Sequence, residues 1–384
     1  MSEWQEYLLE DVIDKFIDYR GKTPTKTNSG VPLITAKVVK AGKILTPNEF
    51  IAVEDYDGWM TRGLPEIDDV VLTTEAPLGE VALIKDKNVA LAQRIITLRG
   101  KKEFLHNPFL KYYFQNGTGQ HELQSRASGT TVFGIKASVL KKVPIEIPPL
   151  EEQKAIASVL SRLDDKIDLL HRQNTTLERM AETLFRQWFV EEAQEDWEER
   201  PLSSIANFLN GLACQKFPPT DALNKLPVLK IKELSSGISE NSDWATSNVK
   251  PEYIVENGDV IFAWSASLMV KVWDGEKCVL NQHLFKVTSQ EFPKWFYLHW
   301  CKYHLDEFIS ISSSHATTMG HIKRGDLDTA MVKVPKPGQL TAMTEQMAPL
   351  LEKQIINAKQ IKTLEKLRDN LLPKLMSGEV RIKN

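Results

Sequence analysis

The sequence predicts an α+β chain: two globular mixed α/β domains joined by two long helices, which form an intramolecular antiparallel coiled coil with pseudo-twofold symmetry. Three observations predict it. One segment is written twice, as TTVFGIK from Thr130 and TTMGHIK from Thr317, so Ile135 and Lys136 recur 187 residues later as Ile322 and Lys323. The same spacing carries Ile147-Pro148 onto Val334-Pro335, Leu163 onto Leu350, Leu177 onto Leu364 and Leu184 onto Leu371, without a gap. Each copy also ends in a long apolar stripe of helical period. A fixed long-period repeat reports architecture ahead of any local motif.

Upstream the repeat is looser. Trp4, Leu9 and Val12 match Trp197, Leu202 and Ile205. Val31-Pro32-Leu33 resembles Leu226-Pro227-Val228, Asp69-Val70 resembles Asp259-Val260, and Leu91-Ala92-Gln93 resembles Leu280-Asn281-Gln282. The spacing drifts here, as it does when loops differ in length. The expected order is a domain at 1–148, a helix at 149–190, an acidic linker at 191–200, a domain at 201–337, a helix at 338–378 and a tail at 379–384.

The first helix starts after Pro148-Pro149, with Glu151 and Glu152 at its electropositive end. Its stripe is Ile156, Leu160, Leu163, Ile167, Leu170, Asn174, Leu177, Ala181, Leu184 and Trp188, at alternating spacings of four and three. That heptad seam is specific for a coiled coil. The second runs Met343, Met347, Leu350, Gln354, Asn357, Ile361, Leu364, Arg368, Leu371 and Leu375, with Pro373 expected to kink the last turn and Gly378 to close it. Neither stripe is stable in water unpaired. If residue i faces 531 − i, Ile156 meets Leu375, Ile167 meets Leu364, Leu184 meets Met347, and Asn174 meets Asn357. A slip of one heptad leaves each Asn against an apolar side chain, at a cost of roughly 1–3 kcal/mol per unpaired amide. The Asn pair therefore selects the register, and the seam spans about 50 Å at 1.5 Å per residue. Arg368, opposite Leu163, is expected to snorkel. The plainer alternative is two surface helices, each packed on its own domain.

A hydrophobic share of 42% with 26% charged residues belongs to a soluble globular protein. No apolar run is long enough for a bilayer and no charged-then-apolar leader follows Met1, so a cytoplasmic location without membrane contact is expected. Cys214, Cys278 and Cys301 lack metal-ligand spacing and read as free thiols. The net charge of −3 argues against nucleic acid. Its distribution does not, because the acid excess lies in the first helix and linker.

Within the domains, strands are expected at 31–37, 70–74, 81–85 and 92–98, and at 228–232, 259–263, 270–273 and 284–287, with helices at 107–115 and 293–304. Catalytic motifs fail on inspection. Gly21-Lys22-Thr23 lacks the upstream glycine of a phosphate loop. Asn107-Pro108-Phe109 lacks the second proline of the amino-methyltransferase tetrapeptide and reads as a helix cap with Pro108 at N1. His299, Cys301 and His304, among Trp295, Phe296 and Trp300, read as packing residues rather than a metal site. Glu66 and Asp68 are the only hint of a nuclease, and a solvated turn explains them as well.

Binding chemistry remains. Hydroxyls, amides and cations on loops are what base edges and phosphates require. The candidates in the first copy are Lys22, Thr23, Lys26, Gln93, Arg94, Arg126, Thr130, Thr131 and Lys136. Those in the second are Lys216, Gln282, His283, His315, Thr317, Thr318, His321 and Lys323. Taken singly, each is more simply a solvated loop residue. Because the loops differ between copies, the two domains are expected to read different sequences.

IPPLEEQKAIASVLSRLDDKI from Ile147, LFRQWFVE from Leu184 and LLPKLMSGEVRI from Leu371 carry a resemblance over essentially the whole chain. It is to the specificity subunit of type I restriction–modification enzymes. One departure is PKPGQLTAMTEQ from Pro335, which lacks that family's Pro-Leu-x-Glu-Gln at the second helix start. The resemblance implies a non-catalytic subunit with two target-recognition domains, each reading half of a split asymmetric site in double-stranded DNA. It further implies that the coiled coil sets the gap and docks two methylation subunits, and that restriction/translocase subunits complete the complex. No cofactor would bind this chain; S-adenosylmethionine, ATP and Mg would sit on the partners. Two other readings stay open from the residues alone: a single-chain DNA-acting enzyme such as a nuclease, and a pure assembly scaffold.

Overall fold

A computed structural model describes residues 4–129, 132–314 and 320–382. The chain divides into two compact units, one of residues 1–166 and 365–384, the other of residues 167–364. Each long helix therefore contributes to both.

The first unit is built on a four-stranded antiparallel sheet in the order Ile13–Asp18, Ile95–Gly100, Val70–Thr74, Leu78–Leu83. Every residue of Val70–Thr74 is buried because both faces of the strand are covered. Val70 and Leu72 face a core with Phe109, Leu110 and Phe114 of the helix Asn107–Gln115. Val71 faces a second core around a smaller sheet of Phe50–Ile51, Val31–Ile34 and Ala90–Leu91. The last two of those strands are parallel.

The second unit repeats this topology. Its sheet runs Asn207–Asn210, Leu284–Thr288, Val260–Ala263, Met269–Val272, all antiparallel. Val260 and Phe262 face the aromatic helix Lys294–Tyr303, while Ile261 and Ala263 face the other core. Lys225–Leu229 and Cys278–Leu280 form the parallel pair. A terminal ribbon closes each domain: Gln5–Leu8 with Pro144–Ile147, and Glu198–Pro201 with Met331–Val334. Both ribbons thus end where a long helix begins.

The recurring Asp-Val is structural. Asp69 accepts the Glu66 N–H at 2.8 Å and a two-point guanidinium contact from Arg99 at 2.8 and 2.7 Å. Asp259 accepts the Glu256 N–H at 2.8 Å and pairs with Lys286 at 2.8 Å. Each carboxylate caps a turn and clamps the neighbouring strand.

The long helices span Leu150–Arg186 and Pro337–Met376, the first ending in a wider π-type turn at Gln187–Glu191. They pair antiparallel within each unit. In the second unit, Ile167 and Leu170 cluster with Ile361 and Leu364, and Ala181 and Phe185 share a core with Met347 and Leu351. In the first, Ile156 and Leu160 share a core with Leu375 and Met376. Arg368 does not snorkel to solvent; it donates to Asp164 at 3.0 Å. Asp164 also accepts from Lys111 at 3.0 Å and Tyr112 at 2.7 Å, so a partly buried carboxylate ties the helix pair to the sheet-packing helix. The second helix continues through Pro373 to Met376, and Gly378 follows at φ 70°.

The helix starts differ where the sequences do. Buried Gln153 accepts the His106 N–H at 2.9 Å and donates to the carbonyls of Phe104 and Pro148. At the second start Gln339 accepts from the Trp197 indole at 2.9 Å instead.

Several sequence expectations are corrected. The strand expected at 31–37 stops at Ile34, and that at 228–232 gives way to the helix Ile231–Ser236. The strand expected at 92–98 is broken, because Arg94 stands at φ 72° between Ala90–Leu91 and Ile95–Gly100. His106, not Asn107, caps the helix; the Asn107 side chain accepts the Gly100 N–H at 2.8 Å.

Candidate nucleic-acid interface

In the first unit, Val70–Thr74 ends at Glu75, and Ala76 turns the chain at φ 50°. The Thr74 N–H donates to the Arg94 carbonyl at 2.9 Å, and the Thr74 carbonyl accepts the Ile135 N–H at 3.0 Å. Gly134 bridges to Glu75, whose carboxylate holds the Arg94 guanidinium at 3.1 Å. Thr23 donates its hydroxyl to the Gln93 side-chain oxygen at 3.3 Å, and Arg20 donates to the Ile135 carbonyl at 2.9 Å. Thr23, Gln93, Arg94 and the loop leading to exposed Lys136 are thereby gathered at one sheet end.

The second unit builds the same junction from other side chains. Ala266 turns at φ 57° after Trp264 and Ser265. The Trp264 N–H points to the His283 carbonyl at 3.4 Å, and its carbonyl accepts the Ile322 N–H at 3.1 Å. His321 bridges to Ser265, whose hydroxyl lies 3.3 Å from His283 Nδ1. The Trp264 ring stacks on Phe285, with its centroid 5.9 Å from His283 and 6.3 Å from His321. Its indole N–H donates to Asn210 at 3.1 Å, and Gln282 Nε2 lies 3.3 Å from His283 Nε2.

Position by position, Thr74, Glu75, Arg94 and Gly134 correspond to Trp264, Ser265, His283 and His321 on one backbone frame. Ala76, Arg94 and Ala266 hold left-handed conformations that cost roughly 1–3 kcal/mol each and persist only where the surrounding structure fixes them. Hydroxyl, amide, imidazole and guanidinium groups at strand ends suit hydrogen bonding to base edges and phosphates.

The remaining candidates divide. Lys26 pairs with Glu49 at 2.9 Å, and that hydrogen bond holds the Glu49 carboxyl below its usual range. Arg126 is committed to Glu122 one turn back. Lys22 is exposed next to Thr23, and Lys216 is exposed in a short turn, Cys214–Lys216. Exposed Lys323 precedes the helix Arg324–Thr329, where its N–H donates to Asp326 at 2.7 Å. Thr130, Thr131, His315, Thr317 and Thr318 lie outside the described residues. Trp264, Ser265, Glu75 and Asn210 escape sequence reasoning. The alanine repeated after them, Ala76 and Ala266, keeps the spacing of Asp69 and Asp259 and was the available signal.

Nothing gathered here is a catalytic constellation. Glu66 is paired with Arg99 at 2.6 Å and Asp68 with Lys85 at 2.9 Å. His299 bonds the Trp295 carbonyl at 2.8 Å, and burial pushes its pKa down to about 4, as expected of a neutral packing residue. Cys214, Cys278 and Cys301 are buried free thiols. Among the described residues no group of His, Cys, Asp and Glu could hold a metal ion, and no helix is long and apolar enough to cross a membrane.

The chain matches the model of the type I restriction modification DNA specificity domain twice, over residues 1–179 and 194–367. It is 29% identical over 345 residues to the type I restriction enzyme MjaIX specificity subunit of Methanocaldococcus jannaschii, covering 82% of this chain and 78% of that one. The MjaVIII specificity subunit of the same organism is 23% identical over 353 residues, covering 83% and 80%. In fold it resembles the type I restriction–modification S subunit from M. genitalium, with TM-score 0.63 and 16% identity over 97% of this chain and 96% of that one. These matches give no support to the nuclease reading. Two matches to the specificity domain in tandem, on domains of the same topology, make this chain a member of the type I restriction–modification specificity subunits, the non-catalytic subunits that recognise the DNA target.

Proposed function

We propose that each domain reads one half of a split, asymmetric target in double-stranded DNA, and that the paired long helices set the number of unread base pairs between halves. The observation carrying this reading is the shared junction with unlike occupants: Thr74, Glu75, Arg94 and Gly134 against Trp264, Ser265, His283 and His321. A common frame keeps the approach to the duplex, and exchanged side chains change the bases preferred. Arg94 suits a backbone phosphate beside the read bases, while the amides of Gln93 and Gln282 suit adenine. The helix pair docks two methylation subunits, which carry S-adenosylmethionine and methylate adenine. Restriction/translocase subunits supply ATP- and Mg-dependent translocation and cleavage, and the assembly works in the cytoplasm.

The test is co-expression with the methylation subunits followed by genome-wide mapping of methylated adenines. Two unlike half-sites at a fixed spacing are expected. A continuous or palindromic methylated site would overturn the reading.

A further inference from the structure

We propose that Phe133, with Val132 beside it, is a wedge that enters the duplex between two base pairs of the half-site read by the first domain. This rests on the reading that the junction above meets DNA.

Ser128 and Gly134 exchange reciprocal backbone hydrogen bonds at 2.9 and 3.1 Å, and Gly134 directly follows Phe133. Gly129 lies at φ 141°, and a Cβ there would fall 2.0 Å from the Val132 carbonyl oxygen, so only glycine fits at this position. Gly134 is pinned to Glu75, which in turn holds Arg94. Within this anchored frame Val132 is 52% and Phe133 60% exposed. Two adjacent large apolar side chains held in water forgo the stabilisation of burial and call for a partner.

The surroundings say which partner. One residue from Phe133 begins the contact that positions a guanidinium, with the Gln93 amide and Thr23 hydroxyl next to it. A flat apolar ring flanked by a cation and hydrogen-bonding groups complements a base-pair face flanked by its phosphates. An apolar groove on a protein would have no use for those groups.

Among the described residues the second domain has no apolar ring at this place. Gly320 stands at the place of Phe133, and a Cβ there would lie 2.4 Å from Ser312 Oγ and 2.7 Å from the Ser312 carbonyl oxygen. A wedge made by a ring at this position thus belongs to the first domain's half-site.

The experiment uses the full chain assembled with its methylation subunits. Duplexes carry the target identified by methylation mapping, each with 2-aminopurine at one position of either half-site. Fluorescence is expected to rise at one step of the first domain's half-site, to be lost in Phe133→Ala and to persist in Phe133→Leu, since leucine also wedges. Affinity is expected to fall about tenfold in Phe133→Ala, as for a lost base–aromatic contact, with second-half signals unchanged. Unchanged fluorescence and affinity in Phe133→Ala, on a target the wild type retains, would overturn the wedge alone. A Phe133→Ala chain that no longer assembles with methylation subunits would assign the ring to a protein contact and also overturn it. A wild-type complex that retains no duplex would overturn the wedge and the DNA reading together.

Discussion

The side-chain amide of Asn357 donates to the side-chain carbonyl of Asn174 at 2.9 Å, in the middle of the paired long helices. Asn174 passes its own amide hydrogen to the Gln354 backbone carbonyl at 3.2 Å, and Asn357 is fully buried. Apolar layers lie on both sides of the pair, Ile167 and Leu170 with Ile361 and Leu364 on one, Ala181 and Phe185 with Met347 and Leu351 on the other. Among the described residues Asn357 Oδ1 has no donor, so this pair adds selectivity more than stability.

Asn174→Leu is expected to destabilise the second unit by about 1–3 kcal/mol, the cost of stranding the Asn357 amide. The Asn174→Leu/Asn357→Leu double variant should recover most of that loss while tolerating shifted helix pairings. Urea unfolding checks the first outcome. Mapping of methylated sites checks the second, by a broadened range of gap lengths.

Glu75→Gln should release Arg94 from its ion pair. Arg94 is 55% and Glu75 38% exposed, so water screens the pair and stability should change by less than about 1 kcal/mol. Affinity for non-target duplex should rise a few-fold, and the salt dependence should steepen by about one counterion. Titrations at two salt concentrations decide it; an unchanged slope would place Arg94 away from phosphate.

Asp164 links stability to pH in the first unit. Burial alone would raise its carboxyl, but the Lys111 ammonium, the Tyr112 hydroxyl and Arg368 outweigh burial and hold it below the usual range. A carboxyl depressed in the folded state contributes stability above its unfolded pKa, near 4, and loses it as pH falls through the folded value. Wild-type unfolding midpoints should therefore drop more steeply below about pH 4 than those of Asp164→Asn. At pH 7 that variant should be less stable by about 3 kcal/mol, because Lys111 stays buried opposite a neutral amide.

Exchange of residues 1–148 for the equivalent domain of another family member should alter one half of the methylated site only. Trp264→Ala should alter the other half and leave the first intact. Methylation mapping of each chimera or variant tests both, and changes in both halves would contradict independent reading.

How much was legible depended on how far each feature repeats. The long helices announced themselves through a period sustained over ten seam positions. The strands Val70–Thr74 and Val260–Ala263 showed as apolar runs, because both faces of each are covered. Boundaries failed where the chain turns without glycine: Arg94 at φ 72° interrupts what reads as one strand. Gln93, Arg94, Gln282, His283 and His321 could be picked out as polar residues on loops. Glu75 and Trp264 could not, since at strand ends one resembles a turn residue and the other a core aromatic.

By itself the sequence determined the duplication, the helical seams and the placing of each Asn, because periodicity and burial are written locally, residue by residue. Only the tertiary structure decided which polar groups share a junction, that Arg368 turns to Asp164 instead of solvent, and that Phe133 is left exposed. Thr23 meets Gln93 across 70 residues of chain and Arg368 meets Asp164 across 204, and contacts at that separation arise from packing of the whole domain rather than from any local preference.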